Sequence, residues 1–378
     1  MNKRFKKAAA AALSLSMAFG MASCGAQKDS DTSVMKVAMI TDNGDINDQG
    51  FNQTTYEACK EYADSAGKEF TYYKPAADSD ADRKAMIEKA VADGYDVIVL
   101  PGFSFAAPVV ETAPNYPDVK FVTLDITEAD FCSAAGTESY SRENVYGAVY
   151  KGEISGYLAG YAAVKLGYDH LGFLGGMAVP QVIQFGCGFA QGADDAAAET
   201  GIKVTLDYAY ANQFYGSEDI TSAMNTWYSD GTQAVFACGG GIYTSVGEAA
   251  QAHGGKVIGV DVDQAPIIDA AYGDNVTVTS ALKGLAPTVK TVLTGIDAGK
   301  WSDYSGKTES LGLVSADNLA LNYVGLPSST QWSDKFTEAD YKVLVKSIID
   351  GEHKINENYP SETPTVSNIT LNYLGNLQ

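Results

Sequence analysis

Short apolar runs alternate along this chain with longer segments whose apolar positions recur at helical spacing. Residues 35–40 (MKVAMI) read as a strand, a turn rich in Gly and Asp follows, and Phe51–Ala66 carries a helical pattern. Residues 70–73 form a second strand, 82–92 a helix marked by Met86, Ala90 and Val91, and 95–100 (YDVIVL) a strand that stops at Pro101-Gly102. Lys120–Leu124 (KFVTL) is another strand, ending at Asp125. The pattern then restarts. Residues 145–165 read as one Gly- and Ala-rich helix, 170–174 as a strand ending at Gly175-Gly176, and 182–199 as a helix. Strands at 203–208, 233–237 and 257–260 follow, with a helix at 219–228 between the first two. Beyond Asp261 the pattern gives a helix at Ala265–Tyr272, a strand at 276–282 and a helix at 286–298. A hairpin follows, built from 311–314 and 320–324, and then a helix at 338–350. Near-continuous apolar strands separated by helices signal a parallel sheet covered on both faces.

The restart is a weak internal repeat. Residues 70–73, Met86, Gly94 and YDVIVLPG match residues 204–208, Met224, Gly231 and TQAVFACGG, and Gly94–Gly102 and Gly231–Gly239 have the same spacing. The expected fold class is α/β, with two doubly wound parallel-sheet lobes and a hinged ligand cleft at the carboxyl ends of the strands. Residues 35–142 and 276–300 are assigned to the N-terminal lobe, and 143–275 and 301–378 to the C-terminal lobe. Chain crossings are expected near 140–145, 262–276 and 300–310.

Composition narrows the class. Of 378 residues 46% are apolar and 19% charged, which excludes a disordered polyelectrolyte, and the net charge of −21 argues against nucleic acid as partner. The first 24 residues are set apart. Lys3, Arg4, Lys6 and Lys7 precede an uncharged run over residues 8–23, too short to span a bilayer and built like a secretory leader. Met21-Ala22-Ser23-Cys24-Gly25 resembles a bacterial lipobox, in which the Cys is acylated and becomes the new N-terminus. Residues 1–23 are therefore expected as a lipoprotein signal peptide, Cys24 as the lipidation site, and 24–34 as a flexible tether. The body is then lipid-anchored to the cell membrane on its extracytoplasmic face.

Catalytic patterns are missing. The three His (His170, His253, His353) accompany no GxSxG, HExxH or zinc spacing, and neither GxGxxG nor GxxxxGK[ST] occurs. No enzyme, metal or cofactor is expected. Cys59, Cys132, Cys187 and Cys238 permit three pairings and show no CxxC; free thiols are expected. The Tyr residues at 146, 150, 157 and 161 read as core and interlobe packing.

The densest polar cluster is residues 41–53, TDNGDINDQGFNQ, which follows the first strand and opens the first helix. Asp45 and Asp48 suit turn and capping roles, with a calcium loop as the other reading. Gly239-Gly240-Gly241 implies either a tight turn or close backbone approach to a ligand.

This cluster resembles the D-x-G-x-I-x-D-x-S-F-N-Q signature of the basic membrane protein (BMP) family of substrate-binding lipoproteins, which includes purine nucleoside receptors. Gly50 stands where the family has Ser, which weakens one loop contact. Residues 95–105 (YDVIVLPGFSF), 171–176 (LGFLGG), the Gly239–Gly241 turn, 257–264 (VIGVDVDQ) and 279–284 (TSALKG) are similar to further family blocks in family order. The resemblance implies a periplasmic-binding-protein type I fold, a nucleoside in the cleft and an ABC importer permease as partner; a monomer is expected. It implies Asp42 and Asn52 as base contacts, Phe51 as a stacking ring, and Asp125, Asp261 and Lys283 as ribose and polar contacts. Gly240 is placed among the binding residues. The second ring is sought among Phe185, Tyr243, Phe214 and Tyr215, with Phe185 and Tyr243 preferred; Phe103 and Phe105 are further candidates for the wall. The competing readings are the same fold holding a sugar, a sensory or surface lipoprotein, and, last, a nucleoside hydrolase.

Overall fold

The computed structural model describes residues 35–377 apart from 43 and 360; the expected leader, acylated Cys24 and tether lie outside the described residues. Strands β1 (Lys36–Ile40), β2 (Glu69–Tyr73), β3 (Val97–Pro101), β4 (Lys120–Leu124) and β5 (Val145–Tyr150) form one parallel sheet in the order 5-4-3-1-2. Strands β6 (His170–Gly175), β7 (Thr205–Tyr210), β8 (Ala234–Cys238), β9 (Lys256–Asp261) and β10 (Thr277–Lys283) form the second in the order 10-9-8-6-7. The two orders are the same, so each strand has a counterpart five places on. Strand β11 (Thr308–Leu311) then adds to β5, β12 (Val324–Gly325) pairs antiparallel with β10, and β13 (Thr370–Asn376) adds to β7.

One helix follows each of the first ten strands: α1 (Phe51–Ala66), α2 (Asp80–Ala92), α3 (Ala106–Thr112), α4 (Glu128–Ala135), α5 (Gly152–Leu166), α6 (Pro180–Thr200), α7 (Glu218–Ser229), α8 (Tyr243–His253), α9 (Ala265–Tyr272) and α10 (Leu285–Asp297). Helix α11 (Glu338–Ile349) lies in the C-terminal stretch. Successive side chains of a strand point to opposite faces. Ala38, Ile98 and Phe121 therefore build one apolar cluster with Ile87 and Val109, while Val37, Val99 and Val122 join a second with Ala58 and Val292.

The chain crosses between lobes one strand later than expected at each point. Strand β5 stays in the first sheet and α5 goes to the second lobe, where it packs on α6; β10 stays in the second sheet and α10 returns to pack on α1. The assignments of 143–150 and 308–311 to the C-terminal lobe, and of 277–283 to the N-terminal lobe, are corrected accordingly. The cause lies in residues 145–165. A fully buried strand (VYGAVY) runs within two residues into a helix buried over all but its last two residues, and the apolar positions of the two show no change of period to separate them. The expected hairpin is absent as well, because β11 and β12 join different sheets.

Helices α5 and α6 meet backbone to backbone. A Cβ on Gly156 or Gly160 would collide with the carbonyls of Phe185 and Phe189, and one on Gly188 or Gly192 with those of Glu153 and Tyr157. Tyr157 and Tyr161 are buried beside this seam. Gly192→Ala is expected to destabilise the fold by about 2 kcal/mol or more through overpacking, read as a lower urea midpoint at unchanged m-value.

Candidate binding cleft

A cavity of about 760 Å³, its mouth included, lies where the carboxyl ends of strands from both sheets meet the first turns of α1 and α6. On the first lobe its wall is organised by Asp48. That carboxylate accepts the N–H groups of Gly50, Asn52 and Gln53 at 2.9–3.0 Å, satisfying donors that a helix start leaves free. Asn52, 3% exposed, then uses its whole amide locally: Nδ2 donates to Asp42 Oδ1 (2.9 Å) and Asp48 Oδ2 (3.0 Å), and Oδ1 accepts the Asp42 N–H (3.3 Å). Asp42 also accepts the Gly44 N–H at 2.8 Å. Burial pushes the Asp42 carboxyl above its ordinary range, against the pull of those two donors. Across from it Gly102 has φ +109°, and a Cβ there would fall 2.6 Å from Asp42 Oδ2. Asn52 lines the cavity, but its amide positions Asp42 and is not left free for a base.

Lys283, at the end of β10, reaches across the cleft. Its Nζ lies 2.6 Å from Asp125 Oδ2 of the first lobe and 3.5 Å from Asp261 Oδ1 of the second, with all three side chains buried. The rings of Phe51 and Phe185 stand 5.0 and 5.1 Å from the same ammonium. Asp125 and Asp261 occupy register-equivalent ends of β4 and β9, and both adopt left-handed φ (+60° and +68°). Asp tolerates that region better than most residues, and such backbone recurs where a side chain must be aimed. Burial opposes the charge on Lys283, but the two carboxylates outweigh it and its pKa rises. Burial pushes Asp261 up to about 6, with Lys283 pulling the other way. Asp125 Oδ1 is buried without a protein partner. One cation against two anions, with an acceptor to spare, suits a ligand that donates hydrogen bonds, as hydroxyl groups do. A side chain at Gly50 would begin 3.8 Å from Asp261 Oδ2, so the glycine removes a possible contact there.

The rings lining the cavity are Phe51, Phe103, Phe185 and Phe214. Tyr243 is not among them. It opens α8 and packs with Ile242 and Val246 on the far face of the second sheet, which takes it out of the binding set. Phe105 is likewise fully buried in the first lobe's outer cluster, and Tyr215 is 66% exposed outside the cavity. The Gly239–Gly241 turn makes room for the chain itself: Gly241 N–H donates to the Phe214 carbonyl at 2.7 Å, and a Cβ on Gly240 (φ +48°) would lie 2.7 Å from the same oxygen. Gly240 also lines the cavity, as do Gln181, Val179 and Val182, which the sequence reading missed. Asp45 pairs with Lys74 at 2.6 Å, and no group of His, Cys, Asp or Glu among the described residues is arranged to hold a metal. The four cysteines among the described residues are unbonded.

Comparison with known proteins agrees with this architecture. Residues 35–357 match the family described as ABC transporter substrate-binding protein PnrA-like. The chain is 28% identical to a CD4+ T-cell-stimulating antigen of Listeria monocytogenes, over 93% of this chain and 99% of that one. It is 27% identical to the ABC transporter nucleoside-binding protein BmpA of Lactococcus lactis, over 78% of this chain and 85% of the relative. A solute-binding protein of an ABC transporter system from Aeropyrum pernix superposes with TM-score 0.67 at 20% identity, covering 87% of this chain and 95% of that one, and shares the periplasmic type I fold. Among the described residues no helix is long and apolar enough to cross a membrane.

Two outcomes follow from the buried charges. Lys283→Met strands two buried carboxylates and is expected to cost about 3 kcal/mol or more in urea unfolding. Asp261 binds its proton more tightly folded, with a pKa of about 6, than unfolded, where it takes the ordinary 3.8. Its stabilising contribution is therefore complete below pH ~4 and lost as pH rises through ~6. Wild type should gain about 2 kcal/mol on Asp261→Asn between pH 7.5 and pH 4, measured as the difference in unfolding free energy.

Proposed function

The chain belongs to the PnrA-like family of ABC transporter substrate-binding proteins, and from that premise we propose that it captures nucleosides, purine nucleosides in particular, and delivers them to an importer. The observation that carries this reading is the Asp125–Lys283–Asp261 cluster beside the ring of Phe51. A ribose presents hydroxyl donors that buried carboxylates accept by charge-assisted bonds, and a base presents a flat face that stacks on an aromatic ring. Phe51 comes from the first lobe and Phe214 from the second, so a base held between them would be gripped by both. The name of the Lactococcus lactis relative, a nucleoside-binding protein, supports the same reading.

The mechanism is capture by hinge closure of the two lobes, with no covalent step. Lipid on Cys24 would hold the protein at the outer face of the membrane, and the closed lobes would present a surface to the permease.

The test is calorimetric titration of the processed chain, residues 24–378, refolded to strip carried ligand. Adenosine, guanosine and inosine are expected to bind, and ribose and free bases are not. Phe51→Ala should weaken nucleoside binding by about 1–3 kcal/mol. Binding of a sugar alone, or of nothing in the panel, overturns the nucleoside reading and leaves the family assignment standing.

A further inference from the structure

The matching strand orders give the polar residues of one lobe counterparts in the other. Gly102 and Gly239 occupy equivalent positions after β3 and β8, and the strand registers then set Asp42 opposite Gly176. The contacts agree: a Cβ on Gly102 would meet Asp42, and one on Gly239 would meet Gly176. Asn52, the second residue of α1, has Gln181, the second residue of α6, as its counterpart.

The counterparts differ in one respect. The amide of Asn52 is fully engaged with Asp42 and Asp48. Gly176 stands at the position equivalent to Asp42, so no carboxylate is offered to Gln181 from there, and α6 opens on Val179-Pro180 with no acidic cap. Both its Nε2 and its Oε1 are buried without a hydrogen-bond partner, the residue is 6% exposed, and it lines the cavity. A buried donor or acceptor left unpaired forfeits its hydration with nothing in return unless something else satisfies it. A helix could carry an apolar residue here at no such cost, as it does next door at Val182.

We infer that Gln181 is a specificity-determining residue that reads the base of the bound nucleoside at the edge formed by N1 and the exocyclic group on C6. The inference rests on the nucleoside reading and deepens it. The charged trio serves the sugar hydroxyls, so a neutral donor–acceptor pair is left for the base. A carboxamide is fully satisfied only by an edge that also offers one donor and one acceptor side by side. The N1/C6 edge does so in adenosine (N1 accepts, the 6-amino group donates) and in inosine and guanosine (N1–H donates, O6 accepts). The N7/C6 edge of the oxopurines offers two acceptors and cannot. No protein group fixes the amide, so rotation by half a turn presents the complementary order. The cleft therefore admits 6-amino and 6-oxo purines by the same side chain.

The experiment compares wild type with Gln181→Leu and Gln181→Glu, each as the processed chain, titrated with inosine, guanosine, adenosine and purine riboside, which lacks the C6 substituent. Gln181→Leu should weaken inosine about ten-fold more than purine riboside, since only inosine loses the bond at C6. Gln181→Glu offers acceptors alone. It should favour guanosine, whose N1–H and 2-amino group both donate, over inosine by about ten-fold relative to wild type. Equal losses for inosine and purine riboside, together with an unchanged guanosine-to-inosine ratio, overturn the inference while wild-type nucleoside binding keeps the functional reading. Absence of nucleoside binding in wild type overturns both.

Discussion

A single ammonium group stands between carboxylates that come from different lobes. Lys283 meets Asp125 of the first sheet at 2.6 Å and Asp261 of the second at 3.5 Å, with all three side chains buried. Removing three charges from solvent is costly, and their mutual attraction repays it only when the geometry is good and the remaining lone pairs are satisfied. Here they are not all satisfied: Asp125 Oδ1 and the amide of Gln181 have no protein partner. Closing an empty cleft thus leaves polar groups dry and unpaired, whereas closing it around a ligand with matching groups does not. The lobes are also bridged at the rim, where Gln264 Nε2 donates to the Gln49 carbonyl at 3.1 Å. That bond is neutral and needs no ligand, so under the proposed capture by closure, discrimination between empty and filled clefts would rest with the buried charges and the orphaned amide.

The two lobes divide the recognition unequally although they are built alike. The first contributes a polar loop in which Asp48 caps the helix, Asn52 braces Asp42, and Gly102 leaves room for that carboxylate. The second contributes Phe185, Phe214 and Gln181, the last without a protein partner, with Gly176 at the position equivalent to Asp42. A repeat that conserves strand order but exchanges the residues at the strand ends can present a ligand with two chemically different walls.

Much of this was legible in the sequence. The alternation of apolar strands and helices gave the α/β class, and the equal Gly spacings at 94–102 and 231–239 marked the equivalent ends of β3 and β8. Asp42 and Phe51 stand out from the local pattern, after a strand and at the start of a helix, whereas Asp125, Asp261 and Lys283 were singled out by the resemblance to family blocks at strand ends. The lobe boundaries were not legible, because β5 and α5 are buried on every side and their junction at Lys151 shows no change of period. Tyr243 and Phe214 could not be separated without the path of residues 212–216, since Tyr243 follows the glycine turn in sequence, Phe214 meets it only in space, and only Phe214 lines the cleft. Gln181 gave no signal of its own; its importance lies in what is missing around it, and the lack of a partner can be seen only in three dimensions.

The exchange of cover helices between lobes has a bearing on how the chain folds as it emerges. The first sheet holds five of its strands by residue 150, yet its inner face lacks α10 until residue 297 and its edge lacks β11 until residue 311. Neither lobe is a contiguous stretch that could close its core early, and the contacts that complete each are distant in sequence. High contact order of this kind slows folding and keeps apolar strands open for longer. A chain arranged in this way completes its first lobe only after most of the second has been delivered, so that lobe's core closes late in the chain's own emergence.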